Sequence, residues 1–204
     1  MIGRGTVGIV LAHEAFGDLC RWVPYGKLLS QEGFRVLIFD YRGFGLSATA
    51  SGKRTARIDA DVVGAVAELR RRGAKKIVVA GASLGGAAVL TAAASAPPAL
   101  AGVVSISGPD SALLRGGGYD YAVLDPTAAA ARIRSPLLFL ASKDDSSVPA
   151  ASTRALYRAA TVKDKRFVVV PGSNHGVSLV EDSGAAGSRA RKLIVAFIRD
   201  HTGS

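Results

Sequence analysis

A chain of 204 residues that is 49% hydrophobic and 21% charged is long enough to bury a sizeable core and too apolar to be disordered. Lys plus Arg number 26 against 16 acids, a net charge of +10, with a mean hydropathy of +0.26. No stretch approaches the roughly 18 apolar residues of a membrane span, and one cysteine, Cys20, excludes an internal disulfide.

The basic residues fall in short, scattered clusters: Lys53, Arg54 and Arg57; Arg70, Arg71 and Arg72 with Lys75 and Lys76; Lys163, Lys165 and Arg166. Aromatics are only 6%, and no stacking pair accompanies these clusters as single-strand binding requires. They are expected to be solvated surface, with no nucleic-acid and no membrane partner; the oligomeric state is not encoded. The first apolar run leads straight into His13 and Glu14 and is too short for a signal-peptide core. A cytoplasmic location is therefore expected, an expectation that a longer N-terminus bearing an export signal would overturn.

Six short β-branched runs occupy residues 6–11, 34–39, 76–80, 103–107, 136–141 and 166–170. They are almost continuously apolar rather than alternating, the pattern of strands covered on both faces. Gly3-Arg4-Gly5-Thr6-Val7-Gly8 matches G-x-G-x-x-G but precedes the first run, whereas the dinucleotide motif must follow a strand and open a helix. Ile58, Val62, Val66 and Leu69 form one face of a helix, with Asp59, Asp61, Glu68 and Arg70 on its other faces; Arg70, Arg71 and Arg72 then sit at its C-terminus, where cations complement the dipole. A strong helix former fills residues 84–94. Asp125-Pro126 reads as an N-cap followed by Pro at the first helical position. The last helix carries a stripe of Ala190, Leu193, Ile194, Phe197 and Ile198. Strand and helix alternate without repeat or linker, which predicts one α/β domain over residues 1–204 built on a parallel, doubly wound sheet.

Chemistry in such sheets gathers beyond the carboxyl ends of the strands. After the third run comes Gly81-Ala82-Ser83-Leu84-Gly85-Gly86, a G-x-S-x-G pattern between a buried strand and a helix. A serine on that turn exposes its hydroxyl, and the helix N-terminus aims the Leu84 N–H at an oxyanion forming beside it. The hydroxyl needs a base and the base an orienting acid. The fifth run is followed by Ser142-Lys143-Asp144-Asp145-Ser146-Ser147-Val148-Pro149, the sixth by Pro171-Gly172-Ser173-Asn174-His175-Gly176. His201 falls in an expected frayed tail and His13 follows the first strand, so His175 is the candidate base. Asp144 and Asp145 are not separated by this reading, and either is placed to cap a helix beginning near Pro149.

Taken together, these residues resemble the α/β-hydrolase superfamily from about Val7 to the C-terminal helix. Asp40-Tyr41-Arg42-Gly43-Phe44-Gly45-Leu46-Ser47 is similar to the family's D-x-R-G-x-G-x-S loop, and Asp145-Ser146-Ser147-Val148-Pro149 to its D-x-x-V-P, which favours Asp145 as the acid. The resemblance implies Ser83 as nucleophile, His175 as general base, the Ala15 and Leu84 N–H groups as oxyanion hole, and no metal or cofactor. It also implies a three-layer fold of about six strands in the order second, first, third to sixth, with the first two family strands missing or shortened. Residues 108–135, with their glycine run Gly116, Gly117 and Gly118 and a short helix, leave no room for a cap domain. An open site suits small, short-chain carboxylic esters, with Phe16, Trp22, Phe44, Tyr119 and Tyr121 as candidate lining. The segment His13-Glu14-Ala15-Phe16-Gly17 departs from the family's H-G-x and is instead similar to dienelactone hydrolases, whose elbow carries cysteine. Glu14 is then either a contact of Ser83 or a buried polar anchor. The implied activity is a serine carboxylesterase, beside a lactone, dienelactone or thioester hydrolase and a non-catalytic binding protein with a basic surface.

Overall fold

A computed structural model describes residues 1–47, 57–95, 100–116 and 119–204, the side chains of 113–116 and 119–123 excepted. Lys53, Arg54, Gly117 and Gly118 lie outside the described residues.

The apolar runs form the strands β1 (Val7–Ala12), β2 (Arg35–Ile38), β3 (Lys76–Ala82), β4 (Gly102–Ile106), β7 (Leu137–Ser142) and β8 (Lys165–Val170). They pair in parallel in the order β2-β1-β3-β4-β7-β8. The parallel crossovers put helices on both faces, so alternate strand residues feed two cores. Val10, Val79, Val103, Leu137 and Phe139 pack beneath α2 (Ile58–Arg71), α3 (Leu84–Ser95), α4 (Pro126–Ala130) and α5 (Ala150–Ala159). Ile9, Leu11, Val78, Val104, Ile106, Leu138 and Leu140 pack beneath α1 (Val23–Gln31), α6 (Ser178–Glu181) and α7 (Ala185–Thr202). Central β1 and β4 are buried throughout, whereas the edge strand β8 is mostly half-buried. On the opposite edge, Ile2 forms an antiparallel bridge to Val36.

The expected strand order is observed, as is the Asp125 cap, whose carboxylate accepts the Ala128 N–H at 2.8 Å. The stretch after β4 also holds an antiparallel hairpin, β5 (Ala112–Gly116) with β6 (Tyr119–Leu124), which the residue pattern did not single out. His201 is not in a frayed tail: α7 continues to Thr202, and His201 Nδ1 and Nε2 lie 2.7 Å from the Phe197 carbonyl and 3.0 Å from Asp164. Asp59 is nearly buried, held by both Nε and Nη2 of Arg57. Among the basic clusters, Arg71 and Arg72 converge on Glu68, and Lys165 Nζ donates to the Tyr157 and Ala160 carbonyls at the end of α5. Lys165 thus satisfies carbonyls at the C-terminus of α5, and Arg71 and Arg72 lie at the C-terminal end of α2, where the dipole favours cations.

Candidate active site

Five loops meet at the carboxyl edge of the sheet, following β1, β2, β3, β7 and β8, and they carry the candidate residues. Ser83 stands between β3 and α3 with φ +52°, a left-handed conformation that is uncommon for a residue with a side chain. The surrounding structure holds it there. The Ser83 N–H donates to the Ile106 carbonyl at 2.8 Å, and its own carbonyl accepts the Ala87 N–H. A Cβ on Gly81 would overlap the Gly85 carbonyl, and one on Gly85 would overlap the Ala12 carbonyl and stand 2.7 Å from that of His13. The two glycines therefore let α3 start against both its own strand and the end of β1. The result is a half-buried hydroxyl at the N-terminus of a 12-residue helix. The Leu84 N–H belongs to the first turn, which has no carbonyl one turn back within the helix.

His175 and Asp145 come together from the loops after β8 and β7. His175 Nδ1 lies 2.8 Å from Asp145 Oδ2. The other carboxylate oxygen accepts the N–H groups of Ser147 and Val148 at 2.9 and 3.0 Å, and the Asp145 side chain is fully buried. Asp144 is exposed, and its backbone N–H bonds the Gly172 carbonyl. Geometry thus separates the two aspartates that the residue pattern left open. The His175 loop is further tied by Ser142 Oγ donating to the Asn174 carbonyl, and by the Gly176 N–H donating to Ser107 Oγ at 3.2 Å. Ser107 itself has φ +49° at the end of β4.

The loop after β1 is built on His13, which has no exposed surface. Its Nδ1 faces the Glu14 carbonyl at 2.8 Å and its Nε2 receives the Tyr41 N–H at 3.4 Å, which assigns the proton to Nδ1. Burial pushes its pKa down, against opposing contributions from the Glu14 carbonyl and the carboxylates of Asp40 and Asp18. Asp40 bridges the loops after β1 and β2, accepting from the N–H groups of Leu19 at 2.7 Å and Leu46 at 3.2 Å. Arg42 anchors the second of these loops to α2 through Asp61, with Nε 2.7 Å from Oδ1. Glu14 does not stand free: Oε2 accepts the Val177 N–H at 3.2 Å, and Arg21 Nε lies 3.6 Å from Oε1.

The candidate lining residues divide. Trp22 is fully buried in the core against Tyr25, Ile9 and Leu11, so it is packing and not part of a cleft. Phe44 is half-buried, edge-on to His13 and Tyr41, and supports the loop from behind. Phe16 is 97% exposed on a backbone with φ +59°. Tyr119 and Tyr121 belong to β6, whose side chains at those positions lie outside the described residues. A groove between α1 and α7, lined by Tyr25, Leu28, Arg191 and Val195, contains none of the candidate catalytic residues. The sequence pattern did not single out Ser107, Ser142, Arg21 or Asp40 as supports; the only local sign is that each sits within a few residues of a strand end or its loop.

A family model described as alpha/beta hydrolase fold matches residues 9–131. Among solved structures, the chain is similar to a monoacylglycerol lipase of Paleococcus ferrophilus, at 21% identity and TM-score 0.77 over 98% of this chain and 97% of that one. It is similar to a thermophilic esterase from Thermogutta terrifontis at 22% identity and TM-score 0.77, covering 98% and 92%. An enol-lactonase from Burkholderia xenovorans LB400 matches at 19% identity and TM-score 0.72, covering 94% and 90%. A comparison with curated proteins gives no significant match.

Proposed function

Since the chain belongs to the α/β-hydrolase fold family, we propose that residues 1–204 act as one catalytic domain, a serine hydrolase of small, short-chain carboxylic esters. The observation that carries this reading is the Asp145–His175 hydrogen bond of 2.8 Å, formed on the same sheet edge as a serine held at φ +52°. In the reaction, His175 Nε2 takes the Ser83 proton as Oγ attacks the ester carbonyl. Buried Asp145 keeps the imidazole in the tautomer with its proton on Nδ1 and stabilises the imidazolium that forms. The carbonyl electron pair moves to oxygen, and the N–H groups of Leu84 and Ala15 receive that oxyanion. The His175 proton then passes to the departing alcohol. Water, deprotonated by His175, releases the acid and frees Ser83.

The solved relatives named a lipase and an esterase support ester cleavage as the reaction class, although fold alone does not choose a substrate. A second reading, lactone hydrolysis, draws on the enol-lactonase likeness and the H-E-x-F-G segment. The engagement of Glu14 by Val177 and Arg21 weighs for the anchor role over contact with Ser83. Gathering of serine, histidine and aspartate at one edge weighs against a purely binding role.

The test is release of nitrophenol from acetyl, butyryl and octanoyl nitrophenyl esters, with wild type and Ser83→Ala run together. Turnover of the short esters that falls by about 10⁶ in kcat in the variant is expected. Equal rates in both proteins would remove Ser83 as nucleophile, and preference for lactones over open esters would favour the second reading.

A further inference from the structure

Building on that serine-hydrolase reading, we propose that Glu14 is a positioning residue that clamps the loop carrying His175 to the loop carrying the Ala15 N–H. Glu14 directly precedes Ala15, and Val177 lies two residues beyond His175. The hydrogen bond from the Val177 N–H to Glu14 Oε2, 3.2 Å long, therefore joins base and oxyanion donor across 163 residues of chain. Arg21 makes a second tie in the same direction. Its Nε lies 3.6 Å from Glu14 Oε1, while its Nη2 reaches Ser178 Oγ at 3.1 Å and Glu181 Oε2 at 3.3 Å.

The clamp is closely fitted. The Glu14 side chain is 17% exposed, and a carboxylate so far removed from water needs partners of this kind. Gly176 lies between His175 and Val177 with φ +57°, and a Cβ there would overlap Glu14 Oε2. A Cβ would be accommodated only by swinging the carboxylate away, so glycine at this position permits the contact. Three consecutive residues of the base loop are thereby held by three different side chains: His175 by Asp145, Gly176 by Ser107, and Val177 by Glu14. Leu179 and Val180 are buried in the core beneath α1, α6 and α7, so α6 keeps its own anchorage when Glu14 is removed.

The consequence is kinetic. A base displaced by a fraction of an ångström from its nucleophile loses rate without losing substrate affinity, and remote misplacements of about 1 Å cost up to about 100-fold. Glu14→Ala is expected to lower kcat for a short nitrophenyl ester about 10- to 100-fold, with KM changed less than about twofold. Glu14→Gln, whose side-chain carbonyl can still accept the Val177 N–H, is expected to restore most of that loss. Gly176→Ala, which pushes the carboxylate away, is expected to resemble Glu14→Ala.

A readout independent of turnover is the low-field proton resonance of the His175 Nδ1–H, recorded without substrate and assigned by its absence in His175→Gln. It should shift or broaden in Glu14→Ala and be kept in Glu14→Gln. Wild-type kcat in Glu14→Ala overturns the proposal, and so does a fall in kcat with the resonance unmoved. Full activity in Ser83→Ala would instead defeat the serine reading, while the resonance would still decide the clamp.

Discussion

Asp145 and His175 are joined at 2.8 Å through one carboxylate oxygen, while the other oxygen is occupied by the N–H groups of Ser147 and Val148. The backbone donors hold the carboxylate independently of the imidazole, so the acid is oriented by its own loop. Asp145→Asn replaces one acceptor oxygen by an NH₂ donor. If that group faces Nδ1, the imidazole must carry its proton on Nε2 and can no longer accept one from Ser83. A loss of about 10⁴ in kcat is expected in the ester assay, as for the equivalent substitution in other serine triads. Asp144→Asn, at an exposed side chain, should remain within about twofold of wild type. Equal effects of the two substitutions would remove Asp145 from its assigned role.

The second support of the base loop makes a prediction about stability. Ser107 Oγ accepts the buried Gly176 N–H, and its backbone is held at φ +49°. Ser107→Ala keeps the unfavourable backbone and leaves that N–H without its acceptor, a loss of about 1–3 kcal/mol. Ser107→Gly loses the same acceptor but relieves the left-handed strain, worth about 1–2 kcal/mol. Urea denaturation should rank both wild type and glycine above alanine. Alanine equal to glycine would mean that the backbone stores no strain.

Much of this arrangement is written locally. Strands buried on both faces must be apolar along their whole length, so β1, β3, β4 and β7 stand out, and parallel pairing places their following loops on one edge. Ser83 is marked by glycines because backbone passes too close to Gly81 and Gly85 for a Cβ at either. The hairpin β5–β6 was hidden because its pairing is decided between segments, not within either. The anchors are hidden for the same reason. Glu14 finds Val177, Asp40 finds Leu19 and Gly176 finds Ser107 only once the loops converge. Trp22 misled as a lining residue because an aromatic beside a functional loop looks the same in sequence whether it faces the cleft or the core.

One substitution type should act with opposite sign at two positions. Gly64 lies exposed in the interior of α2, and a Cβ there meets nothing within 4 Å. Gly64→Ala should stabilise by about 0.5–1 kcal/mol through the helical preference of alanine, raising Tm by about 2–4 °C per kcal/mol for a chain of this size. Gly85→Ala drives a Cβ into the Ala12 and His13 carbonyls at the end of β1. It should destabilise by at least about 1–3 kcal/mol and slow ester turnover, because the displaced backbone leads directly to Ala15. Parallel melting curves of the two variants check both signs, and a raised Tm in Gly85→Ala would contradict the close approach.

His13 gives stability a pH dependence of defined sign. Burial is the chief cause that lowers its pKa, and the Glu14 carbonyl together with the carboxylates of Asp40, Asp18 and Glu14 only partly oppose it. The unfolded chain takes up the imidazole proton as the pH falls through about 6.5, before the folded protein does. The contribution of neutral His13 is therefore fully present above that value. It is lost progressively below it, down to the folded pKa, where the imidazole protonates in place. At that point Nε2 can no longer accept the Tyr41 N–H, and the loop bearing Ala15 loses one of its ties to the loop after β2. His13→Asn does not titrate, and the other histidines contribute alike to both proteins. The difference in Tm between wild type and His13→Asn should thus favour wild type most at pH 7.5 and shrink steadily towards pH 5. Differences that stay constant across that range would mean that His13 is solvated, contrary to its complete burial.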